Sequence, residues 1–330
     1  MFSNVYSKDK LYLYLLLPIE VIRHFGNLYR YINQIRIAAT NWYIAPLIYL
    51  GIKKQGKILL KDGTRFILSK ATFEEFIGVA QSFANNTTDK KIKSKEYVEL
   101  SILNTKLYVS KSSVNAIKGE FYSNSHKVIG KANIKNRVIL DVGAYMGETA
   151  LLYVIWGKAK RVYSFEPVER LYATMVKNIR LNNLENKITP VRALLVGKTG
   201  AYNARNSFEI SKERINEISL SEFVIKNDIK DAILKLDCEG GEYEIINDTP
   251  ASILRRFKIL HIEYHYGYKD LIIKLKEAGF KVTYTKPTLS IVGMFSSVKY
   301  MGDIIAVREG AESIIKSTYH ELGLLRKQGF

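Results

Sequence analysis

The stretch RVILDVGAYMGETALLYVIWG, residues 137–157, passes from an apolar strand pattern through two glycines into an apolar helix pattern. This order is typical of the first βα turn of a doubly wound α/β sheet, where ligands bind beyond the carboxyl ends of the strands. Gly143 permits a sharp turn and a close backbone approach, and Gly147 opens the helix so that its free N–H groups face a ligand. The stretch therefore predicts a ligand site at this turn.

Beyond this stretch, short β-branched runs continue to alternate with segments of helical periodicity, such as the helix that places Leu171, Met175 and Ile179 on one face. This alternation predicts a doubly wound α/β fold with a seven-stranded, mostly parallel sheet over residues 134–310. The predicted strands are RVILDVGA, RVYSFEP, ITPVRALLV, DAILKLDCEG, FKILHIEYH, KVTYTK and DIIAVRE.

Residues 1–133 have a different character and predict an N-terminal α+β appendage that begins with helical, basic and aromatic-rich sequence. KILLKDGTRFILS (57–69) places Asp-Gly between two apolar arms, which is a strong hairpin signal because both turn positions need positive φ. YVELSILNTKLYVS (97–110) predicts a second hairpin around Asn-Thr. We expect residues 311–330 to form a C-terminal helix.

Composition and charge narrow the classes of protein and of partner. The chain of 330 residues has 50 Lys and Arg against 32 Asp and Glu, a net charge of +18, which predicts a surface that attracts nucleic acid, anionic lipid or an anionic substrate. The single cysteine, Cys238, excludes an internal disulfide and fits a reducing compartment, so we expect a cytoplasmic protein. LYLYLLLPI (11–19) and WYIAPLIYLGI (42–52) are too short to span a bilayer, and we expect no secretory signal.

The glycine turn has the pattern D-x-G-x-x-x-G, which differs from the G-x-G-x-x-G that binds a dinucleotide pyrophosphate. Glu148 places an acid where a phosphate would lie, which disfavours nicotinamide and flavin cofactors and suits the cationic S-adenosylmethionine. Glu166 ends the next strand, where its carboxylate could accept both ribose hydroxyls. The predicted cofactor-binding residues are Asp141, Gly143, Ala144, Gly147, Glu148, Thr149, Glu166 and Pro167.

A second polar cluster, LKLDCEGGEYEII, follows the fourth predicted strand. Asp237 would lie near a transferable methyl group, where it could orient or deprotonate an acceptor hydroxyl. Glu239 and Glu242 could serve there too or, at least as readily, cap the helix that starts near Gly241. Cys238 alternates away from Asp237, which favours a small core residue over a nucleophile.

The fifth predicted strand, ILHIEYHYG, alternates His261, Glu263 and His265 along one face. A buried strand carries such polar groups only if they have partners or a role, which makes Glu263 and His265 further candidates at the acceptor side. The predicted catalytic residues are Asp237, Glu239 and His265. Asp237, Glu239, Glu263 and His265 could gather a divalent metal, but their spacing matches no ligand signature, so no metal is expected.

These motifs together resemble the FkbM-type family of S-adenosylmethionine-dependent methyltransferases, which have the Rossmann-like class I methyltransferase fold and commonly methylate hydroxyls of sugars or carbohydrate-containing metabolites. The resemblance covers residues 137–308, and LKDGTRFILS is also similar to the family's upstream hairpin. It rests on ILDVGAYMGETA, VYSFEPVERLYATMVKNIRLNNL, ISLSEFV leading into ILKLDCEGGEYEII, and ILHIEYH; within these, K-L-D-C-E-G-G-E resembles the family signature K-I-D-x-E-G-x-E.

The resemblance implies that Asp141, Gly143 and Gly147 contact the methionine end of the cofactor, Glu166 its ribose, and Asp237 the methyl and acceptor region. The chain has ALLVG where the family usually has a smaller AAVG-like turn, a departure that bears on the adenine pocket.

The function expected from the sequence is O-methylation of a hydroxyl on a sugar, glycan, glycolipid or similar metabolite. An RNA methyltransferase is the alternative among enzymes. Enzymes that methylate base nitrogens have an Asn/Asp-Pro-Pro-aromatic run where this chain has Asp-Cys-Glu-Gly-Gly. Nucleic acid is therefore disfavoured as a partner. A peripheral membrane or scaffold protein with a vestigial cofactor site is the alternative from another class. Residues 10–52 would then meet an anionic membrane surface, unless they pack on the sheet domain. The oligomeric state stays open.

Overall fold

The computed structural model describes most of the chain, with gaps around the N-terminal hairpins, between residues 198 and 215, and near the C-terminus. The described residues are 3–61, 63, 65–69, 76–77, 80, 97–102, 105–110, 113–114, 117, 133–198, 215–292, 297–314 and 325–326.

In the described residues, the first part of the chain combines the helices α1 and α2 with two hairpins. Its elements are α1 (Ser7–Ala38), α2 (Ile44–Tyr49), β1 (Gln55–Leu59), β2 (Arg65–Ser69), β3 (Tyr97–Ile102) and β4 (Thr105–Ser110). β1 pairs antiparallel with β2, and β3 with β4, which confirms both predicted hairpins. Their turn residues Asp62 and Asn104 lie outside the described residues. The domain boundary at residue 133 stays a prediction.

Helix α1 takes part in two separate hydrophobic cores. Leu13, near its start, is buried in the core of the large sheet, whereas Ile35 and Ala38, near its end, are buried with α2 and the β1–β2 hairpin. The start of the helix is also fixed by Asp9, which accepts hydrogen bonds from the hydroxyls of Tyr268 and Tyr284. Part of the N-terminal segment therefore packs on the sheet domain.

The opposite side of α1 is apolar and open to solvent. Leu11, Leu15, Ile19, Ile22 and Tyr29 recur at helical spacing, and each keeps 53% to 73% of its surface exposed. We call these five residues the α1 stripe. No helix in the described part of the chain is both long enough and apolar enough to cross a membrane.

The large sheet is built on five parallel strands. They are β5 (Val138–Val142), β6 (Arg161–Phe165), β7 (Ile188–Val191), β10 (Ala232–Leu236) and β11 (Phe257–Tyr264). Their order in the sheet is β7-β6-β5-β10-β11, so the chain's direction of travel across the sheet reverses between β5 and β10. All five residues of β10 are buried, which explains its nearly continuous apolar sequence. This arrangement confirms the predicted doubly wound α/β class.

Antiparallel strands extend the sheet beyond β11 and change the predicted strand count. The additional strands are β12 (Phe280–Thr285), β13 (Thr288–Val292), β14 (Ser297–Arg308) and β15 (Leu325–Arg326), which bring the sheet to nine strands in the described residues. The prediction of one strand over residues 188–196 was wrong, because the chain leaves the sheet after β7. Its continuation, β8 (Leu194–Val196), pairs in parallel with β9 (Glu217–Ser219) in a separate small sheet.

Within the part of the sheet domain that the structure describes, six helices flank the sheet. They are α3 (Glu148–Ile155), α4 (Glu169–Leu181), α5 (Leu220–Lys226), α6 (Glu242–Asp248), α7 (Ala251–Leu254) and α8 (Lys269–Glu277). As predicted, α4 buries Leu171, Met175 and Ile179. α5 begins with a capping box, in which Ser219 and Glu222 each accept the other's backbone N–H. These helices follow the predicted alternation with the strands.

Two asparagines of α4 attach the β3–β4 hairpin to the sheet domain. The Asn178 amide accepts from Tyr108 N at 2.6 Å and donates to Tyr108 O at 3.1 Å. One turn later, the Asn182 amide accepts from Lys106 N at 3.0 Å and donates to Lys106 O at 2.7 Å. Asn178 also donates to Met146 O at 2.8 Å. The two side chains thus replace a neighbouring strand along the edge of β4.

The predicted C-terminal helix falls mostly outside the described residues. Within 311–330, the structure describes a 3-10 turn at Glu312–Ile314 and the two-residue strand β15, which pairs antiparallel with β12. The described part of this segment is therefore not α-helical.

Candidate active site

The glycine turn after β5 packs directly against the loop after β10. Gly143 has φ 75°, and a Cβ atom there would overlap the carbonyl oxygen of Asp237. Gly147, with φ 86°, precedes α3, and a Cβ there would come within 2.9 Å of Met175 Cγ. The close backbone approach expected at Gly143 is therefore made by the neighbouring loop. The space that both glycines leave is occupied by protein atoms.

Glu166 connects the end of β6 to the same turn. Its Oε2 accepts a hydrogen bond from Tyr145 N at 3.0 Å, and its Oε1 accepts one from Val168 N at 2.9 Å. The side chain is only 5% exposed. A carboxylate oxygen can accept more than one hydrogen bond, so these contacts orient the carboxylate and leave it able to bind hydroxyl groups.

Lys235 is a buried cation beneath the two loops, and the sequence analysis assigned it no role. Its Nζ lies 3.3 Å from Asp141 Oδ1 and 3.6 Å from Asp237 Oδ2, and it donates a hydrogen bond to Gly143 O at 3.1 Å. Burial alone would lower the pKa of Lys235, but the carboxylates of Asp141 and Asp237 outweigh it and raise the pKa. The signal in the sequence was a lysine inside the apolar run AILKL.

His265 lies at the end of β11 with its ring orientation fixed by a buried carboxylate. Glu242 is 0% exposed, and its Oε1 lies 2.9 Å from His265 Nδ1 and accepts from His265 N at 3.2 Å. The other ring nitrogen, Nε2, lies 3.9 Å from Asp237 Oδ1 and 3.6 Å from Glu239 Oε2. The structure therefore brings the three predicted catalytic residues, Asp237, Glu239 and His265, into one cluster.

Glu242 holds both His265 and the loop after β10 in place, a role that the sequence did not show. Beyond holding His265, its Oε2 accepts a hydrogen bond from Gly240 N at 2.8 Å and lies 3.7 Å from the Cys238 thiol. Burial raises the pKa of that thiol, as does the charge of Glu242, which fits the expectation that Cys238 is not a nucleophile. Only the folded chain shows that Glu242 lies beside His265.

Glu263 and Glu239 differ in their surroundings. Burial raises the pKa of Glu263 to about 8, with further contributions from the carboxylates of Asp237 and Asp303. Glu239 is 67% exposed and forms an ion pair with Lys299. His261, which shares the strand, is engaged elsewhere, because its Nε2 lies 3.0 Å from Asp303 Oδ1.

The remaining predicted cofactor residues line the turn or its flanks. Ala144, Glu148 and Thr149 are buried, and Pro167 is half-buried next to Glu166. Asp141 is fully buried against Lys235. A direct contact between Asp141 and a cofactor therefore stays a prediction.

A doubly wound α/β sheet with a glycine turn at its switch point and acids at the following strand ends defines a protein of the class I methyltransferase type. Residues 141–282 match the family model described as the methyltransferase FkbM domain. The chain thus carries an FkbM methyltransferase domain and is an S-adenosylmethionine-dependent methyltransferase. The family resemblance of the sequence motifs is confirmed. None of the curated proteins compared with the chain matches it.

Several solved structures match the chain at low similarity. A putative transferase from Pyrococcus horikoshii is 12% identical, with 72% of this chain and 84% of that chain covered and a TM-score of 0.43. TYW2 from M. jannaschii, solved with AdoMet, is 13% identical over 66% and 87% of the two chains, with a TM-score of 0.40. TrmK from M. capricolum, solved with S-adenosylhomocysteine, is 15% identical over 57% and 68%, with a TM-score of 0.37. Similarity at this level carries no argument about the acceptor.

The groups around the glycine turn fit S-adenosylmethionine by their chemistry. Glu148 and Glu166 are both 5% exposed carboxylates at this turn, and they match a ligand that carries ammonium and hydroxyl donors and no phosphate. When bound, S-adenosylmethionine supplies an electrophilic methyl group on its sulfonium. The binding of the ribose by Glu166 and of the methionine end by the 143–149 segment stays a prediction.

Proposed function

We propose that this methyltransferase acts on a hydroxyl group of a sugar, glycan, glycolipid or similar metabolite. The observation that carries the proposal is the cluster of Asp237, Glu239 and His265 beside the glycine turn. Asp237 connects the two regions, because its carbonyl oxygen packs on Gly143 while its carboxylate lies beside His265. A proton acceptor therefore lies next to the predicted methyl-donor position.

The chemistry of a sugar hydroxyl requires such an acceptor. Its high pKa means that the proton leaves late, as the oxygen attacks the methyl carbon, and a positioned carboxylate can receive it. Asp237 is 30% exposed, so it is accessible to an acceptor, and Lys235 holds its carboxylate from below at 3.6 Å. Alignment of the acceptor oxygen with the methyl group supplies the rest of the catalysis.

The test is methyl transfer from radiolabelled S-adenosylmethionine to a panel of free sugars, oligosaccharides, glycolipids and transfer RNA. We expect label on a hydroxyl compound and expect Asp237→Asn to lower kcat by roughly 10² to 10⁴-fold with little change in cofactor affinity. Asp270→Asn, on the exposed side of α8, is the matched control. Transfer to the RNA alone would replace this proposal with the RNA alternative.

We further propose that the α1 stripe attaches the enzyme to an anionic membrane surface. Lys8, Arg23 and Arg30 are exposed and, at helical spacing, flank the stripe on the same side of the helix. Apolar residues bordered by bases suit insertion among acyl chains with contacts to anionic headgroups. The net charge of +18 adds a long-range attraction to such a surface.

Flotation of the full chain with vesicles tests this attachment. We expect co-flotation with phosphatidylserine-containing vesicles, weaker binding to pure phosphatidylcholine, and loss of binding in the double variant Leu15→Glu, Ile22→Glu. Ile225→Glu changes a residue of α5 that is 61% exposed and serves as the control. Equal flotation of the double variant and the wild-type protein would rule out the stripe as the attachment.

A further inference from the structure

We propose that Asp237, Glu263 and His265 bind one divalent metal cation at the acceptor side of the site. One donor atom from each of the three residues lies within 4.8 Å of the other two. The residues come from two neighbouring parallel strand ends, after β10 and along β11, which is why their order in the sequence resembles no ligand motif. The role given to the metal rests on the proposed hydroxyl methylation, whereas its binding does not.

The strongest indication is the orientation of His265. The side chain is 1% exposed, and its Nδ1 is held 2.9 Å from the carboxylate of Glu242. A carboxylate oxygen accepts, so Nδ1 donates, and whenever the ring is neutral its lone pair is on Nε2. Nε2 has no hydrogen bond among the described residues and faces Asp237 and Glu239. Metal-binding histidines typically donate their other N–H to a carboxylate in this way.

The charges around the three residues also favour a cation. Two lysines contact the cluster, but Lys235 is shared between Asp141 and Asp237, and Lys299 pairs with Glu239. Within the described part of the chain, Glu263 has neither an ion pair nor a hydrogen bond, although it is only half-exposed and lies near other carboxylates. Buried or half-buried carboxylates without partners are costly, and a bound cation removes that cost.

The donor set indicates the kind of metal. Two carboxylates and one imidazole on one side of an ion suit Mn²⁺, Fe²⁺ or Zn²⁺ and leave coordination positions for acceptor oxygens. A hydroxyl bound to the ion would have a lowered pKa. In the transfer step the O–H bond breaks and its proton passes to the Asp237 carboxylate oxygen that does not bind the metal. The C–O bond forms as the S–CH₃ bond breaks, and S-adenosylhomocysteine is released.

The test is titration of the chelator-treated, full-length protein with Mn²⁺, followed by loss of the free-ion electron paramagnetic resonance signal. We expect one saturable site per chain and at least a tenfold weaker affinity in both His265→Ala and Glu263→Gln. His261→Ala, four residues earlier and paired with Asp303, is the matched control and should bind normally. Circular dichroism of each variant checks that it is folded, and the isosteric Glu263→Gln provides the result if His265→Ala is not.

Two results would overturn the metal site: no saturable Mn²⁺ binding, or binding that neither variant weakens. Methyl transfer is measured separately with and without chelator, which keeps the two proposals distinguishable. Hydroxyl methylation that survives chelation, without Mn²⁺ binding, removes the metal and leaves the function. A Mn²⁺ site that requires His265 and Glu263, without any hydroxyl methylation, removes the function and leaves the metal.

Discussion

At the scale of single residues, the site depends on a contact between two main chains. The Asp237 carbonyl occupies the space beside Gly143 where any other residue would carry its Cβ. The same position needs a φ of 75°, which glycine adopts at little cost. Gly143 therefore fixes the distance between the predicted cofactor loop and the predicted acceptor loop.

Gly143→Ala should lower the free energy of unfolding by about 2 to 5 kcal/mol, because strain at positive φ adds to overpacking against a backbone atom. Urea denaturation followed by circular dichroism measures the change. Gly26→Ala lies within α1, where a Cβ has nothing within 4 Å, and should raise stability by about 0.5 to 1 kcal/mol. Similar effects of the two substitutions would contradict the contact.

Glu166→Gln should weaken S-adenosylmethionine binding by about 1 to 3 kcal/mol, the usual cost of losing a charged hydrogen-bond partner. Isothermal titration calorimetry with S-adenosylmethionine and S-adenosylhomocysteine measures the loss, with NAD as the control ligand. Glu169→Gln, on the exposed surface of α4, should bind like the wild-type protein. An unchanged affinity in Glu166→Gln would place the ribose elsewhere.

The sequence predicted site residues that lie at the ends of strands. It did not predict the pairing of residues that meet only in the folded chain. Asp237 and His265 were predicted at the acceptor side because each follows a buried strand, and the structure brings them together. Lys235 was assigned no role, and Glu242 was expected at the acceptor side or as a helix cap but not beside His265, because their partners Asp141 and His265 lie far away in sequence. Pairings of this kind are determined by strand order, which one sequence does not display.

At the scale of elements, the β3–β4 hairpin shows how side chains can supply the hydrogen-bond partners of the main-chain groups along a strand edge. The main-chain groups of Lys106 and Tyr108 pair with the amides of Asn182 and Asn178, one helical turn apart. A further contact, between Ser113 Oγ and the Tyr145 hydroxyl at 2.8 Å, joins the residues after the hairpin to the glycine turn. The hairpin is thus connected to the predicted cofactor site through both α4 and Tyr145.

Asn178→Ala should lower the free energy of unfolding by about 2 to 4 kcal/mol, because it leaves buried main-chain donors and acceptors without partners. Hydrogen exchange read by mass spectrometry should show faster exchange of peptides from 97–110, with little change in β10. Asn186→Ala, an exposed asparagine beyond α4, is the control and should leave the pattern unaltered. Unchanged protection of the hairpin in Asn178→Ala would mean that other contacts hold it.

Strand and helix types were predictable from periodicity, but the end of β7 was not. ITPVRALLV is one uninterrupted apolar pattern, yet only its first part stays in the large sheet, and Pro190 lies in β7 at the sheet's outer edge. Proline is tolerated there because an edge strand has main-chain groups without a partner. The turn between β7 and β8 depends on the pairing of β8 with β9, which is separated from it by a long stretch of chain.

At the scale of the whole molecule, the sequence separated an N-terminal appendage from a sheet domain, whereas the structure shows that α1 belongs partly to both. Leu13 is 0% exposed within the large core, while Leu15, two residues later, is 66% exposed in the α1 stripe. The composition of this segment indicated that it would bind other surfaces through apolar and basic side chains. Which apolar residues face inward depends on the position of the sheet, and periodicity alone does not supply it.

Leu13→Ala should lower the free energy of unfolding by about 2 to 5 kcal/mol, because it opens a cavity in the large core. Leu15→Ala should change stability by less than about 0.5 kcal/mol, since exposed sites have small effects. Differential scanning calorimetry measures both variants. If the two substitutions have equal effects, α1 is not docked on the sheet in solution.

The contact of Asp9 with Tyr268 and Tyr284 also has a consequence for protein synthesis. These partners lie 259 and 275 residues further along the chain. A ribosome that adds about 5 to 20 residues per second needs roughly 13 to 55 seconds to reach them. Throughout that interval the start of α1 lacks the sheet-domain core that buries Leu13, whereas the partners of its end, α2 and the β1–β2 hairpin, follow within a few tens of residues. The start of α1 is thus synthesised long before the tyrosines that hold it, and until they emerge its apolar side chains are open to chaperone binding.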